Sequence, residues 1–254
     1  MSLVKEIKQY NIPLTLPKMN ADALLDPSRK QLKEPLPNTH ATWLFVGKPR
    51  SGKSTYAFSL ISTDKKAYHK LFDNIHIVMP PDSRKSLSLK EVDSHKRVYD
   101  ELTRETLDTI NGDIDKLIES KGKKGNSLIV YDDVGAAVKN NDVQGGPGGL
   151  QAMSWNFRHR SVTQFYLLQT LRSLPLPVRK VATILVMWSL GSVEMDLVYD
   201  EFMTFISKKQ WEAITLHTFN VKKYGKHTAL WINTDEQTIY RMTDNKYFLL
   251  EIKE

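Results

Sequence analysis

The stretch "ATWLFVGKPRSGKSTYAFSLIS" (residues 41–62) decides the fold. It opens on a short apolar run that ends in Gly47. It closes on "STYAFSLIS", where Tyr56, Leu60 and Ile61 recur at helical spacing. Between them, "GKPRSGKS" (47–54) fills every position of GxxxxGK[ST]. A strand, a glycine loop and a helix in that order form a phosphate-binding loop. Gly47 and Gly52 permit backbone conformations that turn N–H groups onto phosphate oxygens, and Pro49, Arg50 and Ser51 complete the cradle. The helix after the loop presents its positive end to the same anion. Lys53 is expected to reach the β- and γ-phosphates, Ser54 to bind Mg²⁺ and Thr55 to contact the α-phosphate. The motif alone states only that ATP or GTP binds.

Working outward, further apolar runs alternate with helical patterns. "NIHIVM" (74–79), "SLIVYDD" (127–133), "TQFYLLQ" (163–169) and "TILVMWS" (183–189) read as strands. Residues 94–121 read as one charged helix, with Val98, Leu102, Leu107, Ile110, Ile114, Leu117 and Ile118 on its apolar face, and residues 150–160 as another. Near-continuous apolar strands between helices imply an α/β fold with a mainly parallel central sheet covered on both faces. "HTALWIN", "TIYRMT" and "YFLLEI", the first two joined by a "TDEQ" turn, imply an antiparallel extension at the sheet edge. Residues 1–40 carry Pro13, Pro17, Pro27, Pro35 and Pro37 and read as an extended arm. Residues 41–254 then form a single domain, with the β extension at about 220–254. "GGPGG" (145–149) reads as a flexible loop.

The chemistry of the bulk composition is restrictive. The chain has 254 residues and no cysteine, which excludes disulfides, thiolate metal sites and cysteine nucleophiles. Seven histidines show no HExxH spacing, against a protein-held transition metal. A formal charge of +7 and a pI near 9.3 favour polyanionic partners. No apolar run reaches the ~18–20 residues that span a membrane, and no signal pattern opens the chain, so a soluble protein made in the cytosol is expected.

"SLIVYDD" places two carboxylates at the end of a strand, where ligands of open α/β sheets bind. Asp132 is expected to hold Mg²⁺ and Asp133 to polarise the attacking water. Adjacent ionised carboxylates repel, and a dication with a phosphate loop relieves that. A carboxylate directly after the metal-binding Asp resembles the motor-type ATPases of the additional-strand (ASCE, RecA-like) division of P-loop NTPases. Glu is usual there, and the shorter Asp is a departure.

The order "GKPRSGKS", "LIVYDD", "RHRSVTQFYLLQ", "LPLPVRK" resembles the FtsK–HerA superfamily, and within it the poxvirus-type genome-packaging ATPases of large double-stranded DNA viruses and virophages. The resemblance covers roughly residues 42–189. It implies that the strand ending in Gln169 lies between the phosphate-loop strand and the acidic strand, with the amide sensing the γ-phosphate. It implies ATP hydrolysis coupled to movement of double-stranded DNA, held by backbone contacts. It implies a homo-oligomeric ring, pentamer or hexamer, with an arginine acting on the neighbouring subunit's nucleotide. Arg158 of the Arg-His pair is the first candidate and Arg160 the second; Arg172 and Arg179 follow. Capsid or membrane-associated virion proteins are the implied docking partners, and host cytoplasm, viral factories or the virion the implied location. The 139–149 loop, Arg172, Arg179 and Lys180 are candidate DNA contacts, whereas Arg84–Lys85 and "KGKK" (121–124) read as solvated loops. A P-loop nucleotide or nucleoside kinase and a cellular HerA-like DNA pump remain the alternatives. No NKxD guanine motif or LSGGQ motif is present.

Overall fold

The structure, a computed structural model, describes residues 25, 32–62, 67–85, 96–244 and 246–251. The strands are β1 (Thr42–Val46), β2 (Asn74–Val78), β3 (Lys96–Tyr99), β4 (Ser127–Asp132), β5 (Val162–Leu168), β6 (Ile184–Met187), β7 (Ala229–Asn233), β8 (Thr238–Thr243) and β9 (Lys246–Leu249). The helices are α1 (Lys53–Ile61), α2 (Pro81–Arg84), α3 (Arg104–Lys121), α4 (Asn141–Gln144), α5 (Leu150–Trp155), α6 (Leu176–Arg179), α7 (Ser192–Phe202), α8 (Lys208–Thr218) and α9 (Val221–Tyr224). The described strands form one sheet in the order β3-β2-β4-β5-β1-β6-β7-β8-β9. The six strands from β3 to β6 pair in parallel, and β7, β8 and β9 extend that sheet antiparallel. This is the α/β architecture expected from the alternating pattern.

Strand β5 lies between β1 and β4, with Val46 beside Leu168 and Asp132 beside Leu167. The expected inserted strand is therefore present, and its C-terminal tip stands between the phosphate loop and the acidic pair. Central strands are buried on both faces, which is why they read as unbroken apolar runs. Leu44, Val46, Tyr131, Tyr166 and Leu168 pack on one face with Leu107, Ile110 and Ile114 of α3. Trp43, Phe45, Val130, Phe165 and Leu167 pack on the other with Tyr56 and Phe58 of α1. Trp43 sits among the rings of Phe45, Tyr68, Phe165 and Trp231. Leu25 and Leu32 are buried in this second layer, so the described part of the N-terminal segment packs on the core. Pro13, Pro17 and Pro27 lie outside the described residues.

Three expectations are corrected. The helix expected from residue 94 starts at Arg104, where the Thr103 side chain accepts from the Thr106 N–H. Val98 belongs instead to β3, whose four residues are too short to show a period of two. The helix expected over 150–160 ends at Trp155, because Phe157 is buried and its carbonyl accepts from Val162 N–H as the chain turns into β5. The "GGPGG" loop, expected to be flexible, is tied to α3. Arg104 donates to the carbonyls of Gly145 and Pro147, and Asn111 donates to that of Gly148 at 2.9 Å.

Candidate active site

The loop leaves β1 at Gly47, whose N–H donates to the Leu168 carbonyl at 3.1 Å. A Cβ on Gly47 would stand 2.7 Å from Ser51 Oγ and 3.1 Å from Trp188 Cβ, so the turn needs glycine. Gly52 caps α1 at φ 106°, a left-handed conformation that glycine adopts without strain. Lys53 is folded back into the loop, with Nζ donating to the carbonyls of Gly47 at 2.6 Å and Lys48 at 3.0 Å. Burial lowers its pKa, opposed by the charges of Asp132 and Asp133.

Ser54 Oγ donates to Asp132 Oδ2 at 3.0 Å. Asp132 ends β4 and is only 6% exposed. Burial pushes its pKa up to about 6, against the Ser54 hydrogen bond that lowers it. Asp133 follows at φ 57°, and this left-handed turn lets its carboxylate meet two partners. Gln169 Nε2 donates to Asp133 Oδ1 at 3.3 Å, and Ser83 Oγ donates to Oδ2 at 3.4 Å. Lys53, Ser54, Asp132, Asp133 and Gln169 surround one cavity of about 240 Å³, with Pro49, Arg50 and Ser83 on its rim. Ser83 escaped the sequence reading because α2 carries no motif. Thr55, Ser51 and Gly52 line a second cavity.

The donor set fits a hard dication. A hydroxyl and a carboxylate, both oxygen ligands, meet on the cavity wall, and a bound cation would offset the burial that raises the carboxylate's pKa. Among the described residues no group of three or more His, Cys, Asp or Glu is placed to hold a metal ion.

The arginines lie elsewhere. Arg158 and Arg160 precede β5, at the end of that strand opposite Gln169, and seven residues at ~3.3 Å each separate the two ends by roughly 20 Å. Arg158 pairs with Asp235 in the β7–β8 turn at 2.9 Å. Arg160 pairs with Asp115 at 2.5 Å and donates to Asn111 on α3. Arg179 is largely buried against Glu201 at 3.1 Å. Arg172 is exposed in the loop after Gln169. The structure thus brings the loop, the acidic pair and Gln169 together and keeps Arg158 and Arg160 away from them.

Among the described residues no helix is long and apolar enough to cross a membrane. No curated protein matches the chain. Solved structures do. A genome-packaging NTPase, B204, of Sulfolobus turreted icosahedral virus 2 with sulfate is 19% identical, over 81% of this chain and 97% of that one, with a TM-score of 0.55. The DNA-packaging ATPase B204 of Sulfolobus turreted icosahedral virus is 19% identical over 81% and 98%, with a TM-score of 0.54. ATPases 2 and 3 of EssC from Geobacillus thermodenitrificans are 11% identical over 82% and 39%, with a TM-score of 0.53. At these identities the likeness is one of fold. The family described as Poxvirus A32 protein matches residues 29–244, and the chain belongs to that family.

Proposed function

We propose that this chain is an ATPase that drives double-stranded DNA into a viral capsid as a subunit of a homo-oligomeric ring. The observation that carries the reading is the placement of Gln169: β5 is inserted between β1 and β4, and its tip hydrogen-bonds Asp133 beside the phosphate loop. Membership of the A32 family and the fold shared with two viral packaging ATPases support the same reading.

In this mechanism Lys53 leaves the carbonyls of Gly47 and Lys48 for the β- and γ-phosphates. Ser54 and Asp132 would hold Mg²⁺, which when bound would supply positive charge against the phosphates. Asp133 polarises the attacking water, and Gln169 can accept from that water while donating to a γ-phosphate oxygen. The γ-phosphate then replaces Asp133 as partner of the Gln169 amide, so the strand tip distinguishes ATP from ADP. Arg158 and Arg160 face away from their own subunit's loop, which suits an action on the neighbour's nucleotide, where an arginine is worth roughly 10³–10⁵ in rate. Residues 41–254 form the ATPase domain, with residues 1–40 as an arm that reaches the core at Leu25 and Leu32.

The net charge of +7 suits phosphate-backbone contacts that do not read sequence. The test is the ATPase rate with and without double-stranded DNA, measured beside native mass. DNA stimulation in a pentamer or hexamer is expected. A monomer that phosphorylates a nucleoside and ignores DNA overturns the proposal.

A further inference from the structure

We propose that His227 selects the base of the nucleotide, and that the cavity it lines receives the purine of an adenine nucleotide. The inference rests on the phosphate-loop reading and adds a specificity residue to it. A cavity of about 370 Å³ is lined by Ser51, Gly52 and Thr55 and shares no lining residue with the cavity at Lys53 and Asp132. Its wall runs along α1 from Gly52 through Thr55 to Ser59, and Trp188, His227 and Met242 close it from the C-terminal half of the sheet. A nucleotide whose terminal phosphates lie at Ser54 and whose α-phosphate lies at Thr55 extends into this space. The size is that of a small-ligand site, and the buried rings of Tyr56 and Trp188 with the Met242 thioether give it apolar surface for a planar base. Asp244 stands at its rim. A carboxylate there repels phosphate, so the cavity suits the uncharged end of the ligand.

His227 is fixed on both sides. Trp188 Nε1 donates to its backbone carbonyl at 3.2 Å, and its ring Nδ1 lies 3.1 Å from the Ser51 carbonyl inside the phosphate loop. A carbonyl can only accept, so Nδ1 carries the proton. In the neutral ring Nε2 is then an acceptor. His227 lines the cavity, and in the proposed pose its Nε2 pairs with the 6-amino group of adenine and is mismatched to the 6-oxo group of guanine. The histidine just before β7 therefore couples base identity to the conformation of the loop that holds the phosphates, across 176 residues of sequence.

The test uses the full chain with Mg²⁺ and measures affinities for ADP, GDP and inorganic tripolyphosphate. One neutral hydrogen bond plus one mismatch corresponds to about a tenfold preference for ADP over GDP in the unaltered protein. His227→Asn keeps an amide able to reach Ser51 but has no acceptor at the Nε2 position, and its ADP:GDP ratio is expected to fall to about one. His227→Gln, with an acceptor near the Nε2 position, is expected to recover part of the ratio. Tripolyphosphate, which has no base, is expected to bind both variants as it binds the parent. An unchanged ratio in His227→Asn, or a loss of tripolyphosphate as large as that of ADP, overturns the proposal. Failure of the phosphate-loop reading has a different signature: Lys53→Ala would then leave tripolyphosphate affinity intact.

Discussion

Gln169 Nε2 donates to Asp133 Oδ1 across 3.3 Å, tying the tips of β5 and β4 together beside the phosphate loop. Both side chains line the cavity, so in the proposed mechanism this is the bond that the γ-phosphate exchanges. Gln169→Ala removes the amide without disturbing the buried body of β5. Turnover is expected to fall roughly 10²-fold, the scale of one preorganised donor, while ADP affinity stays within about threefold. Steady-state rates and ADP titration check this. Near-parental turnover would remove Gln169 from the chemistry.

Asp132 carries a stability cost that follows from its position. It is buried, adjacent to Asp133, and accepts from the Ser54 hydroxyl. Asp132→Asn keeps an acceptor for Ser54 and removes the buried charge. In EDTA at neutral pH the variant is expected to melt several degrees higher, because about 1–3 kcal/mol of desolvation is relieved. Its Mg²⁺-dependent hydrolysis is expected to vanish. Thermal melts with and without Mg²⁺-nucleotide read both effects, and a lower melting point in EDTA would contradict the assignment.

Two buried histidines set an acid limit. Burial lowers His40 to about 4, opposed by the Asn126 side chain, which raises it as an acceptor for the protonated ring. Burial and then the Arg97 guanidinium lower His76 to about 4, with Asp113 opposing. The folded chain keeps both rings neutral while the unfolded chain protonates them near 6.5. Stability is therefore full above that pH and falls as pH drops from about 6.5 toward 4, by up to ~1.4 kcal/mol per pH unit for each ring. His76→Phe keeps a ring against Tyr99 and removes one titration. Between pH 6.5 and 5 its urea-derived stability is expected to fall less steeply than the parent's by about 1 kcal/mol per unit. Equal slopes would refute the role of His76.

Much of this was legible because β1, β2, β4, β5 and β6 are buried on both faces and so appear as unbroken apolar runs. The phosphate loop and the acidic pair were legible because each is contiguous. Strand β3 was not, since "KRVY" is four residues at an edge with Arg97 outward. The anchoring of "GGPGG" was not, because Arg104 and Asn111 lie about forty residues upstream and donate to backbone carbonyls that any residue would offer. Ser83 meets Asp133 from α2, and His227 meets Ser51 from just before β7, and a lone Ser or His in sequence signals neither.

The arginines make the strongest test of the ring. Arg158 and Arg160 are held by Asp235 and by Asp115 with Asn111, at the opposite end of β5 from the chain's own cavity. Asn111 also holds Gly148, so release of Arg160 toward a neighbour would alter the tie on the glycine loop. Arg158→Ala is expected to abolish turnover while leaving ATP affinity nearly intact. Lys53→Ala is expected to be inactive because its own cavity fails. Mixed together, the two variants form interfaces at which an intact loop meets an intact arginine, about a quarter of all interfaces in a randomly assembled ring with head-to-tail contacts. Activity well above either parent variant is expected from the mixture. The same mixing with Arg160→Ala ranks the two candidates. If native mass shows mixed rings and the mixture stays inactive for both arginines, neither acts in trans, and the arginine that completes the site must be sought at Arg172 or Arg179.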